Sequence, residues 1–255
     1  MGRIVSITNQ KGGVGKTTTA INLGAYLADF GKRVLLVDLD AQANASSGLG
    51  IPKNSPEHNA YGVLLGTIPA EKAILPLPYP NFFLLPAHRD LTGAELELVD
   101  AKGREYRLKK ALASVAGGFD VILLDCPPSL GLVTLNALAA ADGVLITLQG
   151  EYFALEGLGE LLQTLDRVRD AFNAFLEIDG VLLTMVDERT NLAQQVMADI
   201  RAHFGGEVFN TIIPRSIRLG EAPSFGKPVL RYDPRSRGAV AYRAVAEEYI
   251  HRRLP

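Results

Sequence analysis

Residues 4–8, Ile-Val-Ser-Ile-Thr, are a short run rich in β-branched side chains, and the helical spacing of apolar residues begins only at Ala20. Between them lies Asn9-Gln10-Lys11-Gly12-Gly13-Val14-Gly15-Lys16-Thr17-Thr18-Thr19. A buried strand, a glycine-rich turn and a helix, in that order, restrict the chain more than any other feature. The glycines let several backbone N–H groups converge on one anion, and the helix N-terminus adds a partial positive charge. Lys16 is then placed to reach the β- and γ-phosphates of a nucleotide, with the Thr17 hydroxyl on Mg²⁺. The usual phosphate-loop pattern has glycine five residues before Gly15, where this chain has Gln10; it has instead Gly12, Gly13 and a second lysine, Lys11. With strand and helix both in place, the loop reads as a nucleotide site rather than a bare turn.

Two further apolar runs end in acids. Arg33-Val34-Leu35-Leu36-Val37-Asp38-Leu39-Asp40 and Phe119-Asp120-Val121-Ile122-Leu123-Leu124-Asp125 both read as buried strands. In a parallel sheet with helical crossovers, ligands sit beyond the carboxyl ends of strands. Asp38, Asp40 and Asp125 are therefore expected near the phosphate loop, Asp125 as the acid that holds the magnesium water shell opposite Thr17. The competing reading is that such acids cap helices or form turns. Cys126 has no histidine near it in sequence and reads as packing.

The remainder alternates in the same way. Asn59–Gly66 is a candidate short helix. Pro76, Pro78 and Pro80 argue against regular structure, and 82–86 is a short strand. Helical periodicity covers 95–100, 104–115, 134–141, 155–175 and 192–204; strands are expected at 143–148, 178–186 and 208–213. Residues 41–50 are small and polar, as a mobile switch loop would be, and Pro52 to Pro56 is turn-rich. With no linker or repeat, the reading is one α/β domain spanning 1–255, a doubly wound, mostly parallel sheet with helices on both faces.

Composition excludes several classes. The net charge of −2 means that any nucleic-acid binding must come from a local patch. A single cysteine rules out an internal disulfide, fits a reducing cytoplasm, and argues against iron–sulfur or zinc centres. The phosphate-loop motif begins within ten residues of Met1, so no secretory leader is expected. No run approaches the roughly 18 apolar residues that span a bilayer.

Lys-Gly-Gly-Val-Gly-Lys-Thr-Thr at 11–18 resembles the deviant Walker A motif of the ParA/MinD group of P-loop ATPases. Residues 213–228 and Tyr232 to Gly238 resemble the chromosomal ParA branch called Soj. The likeness covers nearly the whole chain. It implies ATP and Mg²⁺ as cofactors, with Gly12, Gly13, Val14, Gly15, Lys16, Thr17 and Thr18 around the phosphates and Pro214 and Ser216 by the base. It implies that Lys11 reaches across a dimer to the partner's ATP, that Asp40 orients the attacking water, and that Asp38 supports the magnesium. Lys11, Lys16 and Asp40 are thus the implied catalytic set, and Thr17, Asp38 and Asp125 the metal set. Arg189, Arg215 and Arg218 fall where relatives carry DNA-contacting residues, although surface arginines can also merely solubilise a fold. Glu151 to Gly157 resembles the stretch entering a long helix. Its residues either meet a partner subunit or act as simple partners of the helix dipole, and the second reading is the simpler.

The implied function is ATP-dependent chromosome or plasmid partitioning. It comprises sandwich dimerisation, sequence-nonspecific binding of double-stranded DNA, and slow hydrolysis stimulated by a ParB-type partner, in a cytoplasmic, nucleoid-associated protein. The alternative is a MinD-like membrane-associated regulator, which needs a basic amphipathic C-terminal helix with bulky apolar residues. Residues 241–253 are amphipathic, but they carry two glutamates and an apolar face sized for core packing. A metabolic P-loop ligase would need an additional acid or base constellation that the sequence does not display.

Overall fold

The structure, a computed structural model, describes residues 2–54, 57–151 and 154–254, with the backbone alone at 154–156. Seven strands form one sheet: β1 (Arg3–Thr8), β2 (Val34–Asp38), β3 (Leu75–Pro76), β4 (Phe82–Leu85), β5 (Val121–Asp125), β6 (Gly143–Gln149) and β7 (Glu177–Thr184). Their order is β3-β4-β2-β5-β1-β6-β7, parallel throughout except at β3. Strands buried on both faces read as unbroken apolar runs, which is why β2 and β5 were legible as Val-Leu-Leu-Val and Val-Ile-Leu-Leu.

The helices are α1 (Lys16–Asp29), α2 (Asn44–Gly48), α3 (Ala60–Leu65), α4 (Ala70–Ala73), α5 (Ala94–Glu97), α6 (Arg107–Ala113), α7 (Leu132–Ala140), α8 (Ala154–Ala171), α9 (Asn191–Phe204), α10 (Ile217–Glu221), α11 (Val229–Tyr232) and α12 (Arg237–Arg253). Alternate strand residues point to opposite faces. Val5, Ile7, Leu36, Leu123 and Leu145 pack with α1 and α12. Leu35, Val37, Ile122 and Leu124 pack with α3, α6 and α7. Val144, Ile146, Val181 and Leu183 pack under α8 and α9. The expected doubly wound sheet is therefore what forms.

The C-terminal helix is part of this core. Tyr242, Val245, Ala246 and Tyr249 of α12 are buried, and the Tyr242 hydroxyl shares a 2.9 Å hydrogen bond with Thr19 of α1. Its apolar face is thus occupied. Among the described residues no helix is long and apolar enough to cross a membrane. At the opposite end, buried Asp179 accepts from Arg3 and from the Tyr249 hydroxyl, and a methyl group at Gly143 would overlap its carboxylate.

Several expectations need correction. Residues 208–213 do not form a regular strand: Val208 bridges Val181, the Phe209 and Ile213 N–H groups donate to the Val181 and Leu183 carbonyls, and the next bridge is Pro214 to Val186. From Phe209 to Ile213 the segment advances four residues while β7 advances two, and in that excursion Glu248 of α12 accepts from the N–H groups of Asn210 (2.7 Å) and Thr211 (3.0 Å). Within 41–50, read as a switch loop, Asn44–Gly48 is helical. Pro76 does join a strand, at the sheet edge, where a missing donor is tolerated. The helical stretches read at 95–100, 104–115 and 155–175 end earlier, at Glu97, Ala113 and Ala171. Pro56, Tyr152 and Phe153, named from sequence, lie outside the described residues.

Candidate functional site

The loop after β1 is shaped by its glycines. Gly13 (φ 75°) and Gly15 (φ 85°) occupy the left-handed region, and Gly15 caps α1 without any side-chain acceptor for the first-turn N–H groups. The ends of β6 and β7 brace the loop from beneath. The Thr184 hydroxyl donates to the Val14 carbonyl (2.8 Å), Gln149 Nε2 to the Gly13 carbonyl (3.0 Å), and Asn9 Nδ2 to the Thr147 carbonyl (2.7 Å). Gln149 also contacts Met185 Sδ at 3.5 Å, and Met185 has a positive φ of 52°. A left-handed methionine beside a cleft is backbone strain stored at a site.

Lys16, the first residue of α1, is only 7 % exposed, and its ammonium donates to the Lys11 carbonyl at 3.1 Å. Burial lowers its pKa, with the Asp125 charge opposing. The ammonium is aimed into the loop, where a phosphate would supply the counter-charge. Gly12, Gly13, Gly15, Lys16, Thr17, Thr18, Asp40, Asn44, Pro128 and Met185 line a cleft of about 380 Å³.

Asp38 and Asp125 end neighbouring parallel strands as register partners, and both are fully buried. Asp38 Oδ2 accepts from the Ser46 N–H (2.8 Å) and hydroxyl (2.7 Å), and Oδ1 from the Asp40 N–H (3.2 Å). Burial still raises its pKa to about 6, with the Ser46 hydrogen bonds opposing. Neither oxygen of Asp125 has a hydrogen-bond partner. Its pKa is pushed well up, by burial first and by the Asp38 charge second; the Thr17 hydroxyl is near enough to favour the ionised form without bonding. A buried carboxylate without a hydrogen-bond partner, beside a hydroxyl and a buried lysine, has the chemistry of a cation ligand. The residues present therefore fit Mg²⁺ with a nucleotide. Among the described residues no group of three His, Cys, Asp or Glu is placed to hold a metal ion by itself.

Asp40 lies on the cleft wall, its Oδ1 accepting the Gln42 N–H at 2.9 Å. Cys126 is buried, shares a 3.2 Å contact with the Ser6 hydroxyl, and has its thiol pKa pushed up to about 12 by burial, in keeping with a packing role. The structure does not bring every expected residue to the cleft. Lys11 points outward and pairs with Glu151 at 3.3 Å. Pro214 is bridged to Val186, next to Met185, and Ser216 precedes α10; neither lines the cleft. Each candidate DNA-contacting arginine is held by acids: Arg189 by Asp187 (2.7 Å), Arg215 by Glu151 (3.2 Å), Arg218 by Glu221 (2.7 Å) and Asp233 (3.3 Å). Glu151 thus sits ahead of α8 as a partner of Lys11 and Arg215. Ser46, Asn44, Gln149 and Met185 were missed as individual site residues. Only the small polar character of 41–50 hinted at the first two.

A glycine loop entering a buried helix, with lysine and paired aspartates at the carboxyl ends of β1, β2 and β5, defines a P-loop nucleoside triphosphatase. The family model described as "AAA domain" matches residues 2–178. The chain is 52 % identical over 255 residues to the chromosome partitioning protein ParA of Myxococcus xanthus, covering 100 % of this chain and 90 % of that one. It is 54 % identical over 248 residues to the sporulation initiation inhibitor protein Soj of Bacillus subtilis, covering 97 % and 98 %. Among solved structures, cobyrinic acid a,c-diamide synthase from Mycobacterium smegmatis, with bound ATP analog and magnesium, superposes with a TM-score of 0.84 at 40 % identity, covering 97 % and 93 %. The chain belongs to the ParA/Soj family of chromosome-partitioning P-loop ATPases.

Proposed function

We propose that the protein is an ATP-dependent DNA-partition switch working as a single domain, and that two copies close face to face when each holds ATP and Mg²⁺. The observation that carries this reading is the buried Asp38–Asp125 pair beside Lys16, which leaves Asp125 unsatisfied until a cation arrives. The Gly12–Thr18 backbone and Lys16 would hold the phosphates, and Thr17, Asp125 and Asp38 would hold the magnesium or its waters. Bound Mg²⁺ neutralises charge on the transferring phosphoryl group. Asp40 would orient the attacking water, with Lys11 swinging from Glu151 to the partner's nucleotide. Pro214 and Ser216 would approach the base through the Val186 bridge.

Pairing two copies would set Arg189, Arg215 and Arg218 of both over one DNA backbone. Such contacts are sequence-blind and salt-sensitive. Intrinsic turnover would be slow until a ParB-type partner stimulates it, and the protein would reside on the nucleoid. The tested state is a difference of affinities: ATP favours the DNA-binding dimer only if it binds that state better. The M. smegmatis likeness supports the loop and sheet, but its synthase name does not transfer, because more similar sequence relatives are named chromosome partitioning proteins. A MinD-like membrane role is disfavoured by α12, whose apolar face is buried on α1.

Duplex-DNA binding measured with ATP and, as control, ADP tests the reading. Salt-sensitive binding with ATP alone is expected. A monomer that ignores DNA at saturating Mg-ATP, even with hydrolysis blocked, would overturn it.

A further inference from the structure

We propose that Ser46 is a positioning residue for magnesium, acting through Asp38; the inference rests on the nucleotide reading above. Ser46 is 1 % exposed and lies in α2, six residues past the catalytic candidate Asp40. Its hydroxyl has one proton and two neighbours. The neighbour at 3.1 Å is the Ala87 N–H, which can only donate, so the Ser46 oxygen accepts there. The proton is thereby committed to Asp38 Oδ2 at 2.7 Å, and the Ser46 backbone N–H reinforces the same oxygen at 2.8 Å.

The consequence is a carboxylate fixed in rotation. Oδ2 of Asp38 is occupied by two donors from one residue, and Oδ1 takes the Asp40 N–H. Asp125, its register partner, has no such restraint and no hydrogen-bond partner. One member of the pair is therefore locked and the other left available. A cation with strict octahedral demands is best served by oxygens that do not have to be reoriented first. Without the Ser46 hydroxyl, the Ala87 N–H is orphaned in the interior and the Asp38 carboxylate is held by two backbone donors alone, of which the Asp40 N–H is the longer at 3.2 Å.

Ser46 touches neither the cleft nor a phosphate-binding backbone group, since Asn44 is the α2 residue on the cleft wall. Its removal should therefore separate magnesium dependence from nucleotide affinity, which a general loss of stability would not do. The experiment titrates fluorescent mant-ATP binding to the full chain, with EDTA and then across Mg²⁺ concentrations, for the native protein, Ser46→Ala and Ser46→Cys. In EDTA the variants should bind within about twofold of native. The half-saturating Mg²⁺ should rise about tenfold or more in Ser46→Ala, as expected from losing one buried hydrogen bond to a carboxylate. Ser46→Cys, with a similar shape and a weak donor, should fall between.

A folded Ser46→Ala protein that titrates at the native Mg²⁺ concentration would overturn the proposal. If circular dichroism shows Ser46→Ala unfolded, Ser46→Cys at the native Mg²⁺ concentration would overturn it equally. Failure of the native protein to bind mant-ATP at all would instead remove the nucleotide reading, and this one with it.

Discussion

Asp38 and Asp125 stand opposite each other on adjacent parallel strands, fully buried, and only Asp38 is hydrogen-bonded. Both hold their protons more tightly in the fold than when exposed, chiefly because burial disfavours the charge. For Asp38 the value moves from 3.8 to about 6, so the folded state binds more protons than the unfolded one across that window. Stability of the nucleotide-free protein should therefore decline as pH rises from 3.8 through about 6. Removing one charge should reverse the effect. Asp125→Asn should stabilise the nucleotide-free fold at pH 7 by about 1–3 kcal/mol in urea unfolding, while losing the magnesium dependence of ATP binding. A destabilised Asp125→Asn protein at pH 7 would contradict this.

Lys16 is buried with one carbonyl partner, so its ammonium is committed to whatever anion fills the loop. Lys16→Ala should weaken ATP binding by on the order of a hundredfold in calorimetry, the cost of leaving a phosphate without its charge partner. Its circular dichroism should remain native.

Asp40 lines the cleft without holding the phosphate loop together. Asp40→Ala should keep ATP affinity within about threefold, below 1 kcal/mol, and lose turnover, leaving an ATP-bound dimer that stays on DNA. Steady-state phosphate release at the native rate would remove Asp40 from the role.

Arg218 is shared between Glu221 and Asp233, all exposed to water. Exposed pairs of this kind stabilise a fold by no more than about 1 kcal/mol, so a phosphate can compete for the guanidinium. Arg218→Ala should weaken ATP-dependent DNA binding on any sequence and lower the slope against log salt by about 1. Glu221→Gln should tighten it. Filter binding across a salt series would read both, and unchanged affinity in each variant would clear Arg218 of DNA contact.

Gly143 begins β6 against the Asp179 carboxylate, which Arg3 and Tyr249 already share. Gly143→Ala should cost about 2–4 kcal/mol in thermal unfolding, because the obstruction is a buried, bonded charge that has nowhere to move.

How much of this was legible follows from what each residue depends on. The phosphate loop, β2 and β5 announce themselves because their chemistry is local: glycines for backbone shape, apolar runs for a sheet covered on both faces. The 208–213 segment has the composition of a strand, but Glu248, nearly forty residues on, holds the Asn210 and Thr211 N–H groups where its pairing with β7 is interrupted. Ser46 looked like one of several small polar residues until Asp38 and Ala87 were found on either side of it. The arginines were visible from the family resemblance alone, but not the acids that hold them. Long-range partners are where periodicity carries no information.

The hydrogen bond between Thr19 and Tyr242 joins the turn that follows Lys16 to a helix more than two hundred residues later. During synthesis, the face of α1 opposite the sheet lacks its largest cover, α12, until residues 237–253 have left the ribosome. A truncated product would present its nucleotide loop on an unsupported helix. Support for the phosphate-loop helix is in this sense long-range, carried by a contact that no local stretch of the sequence contains.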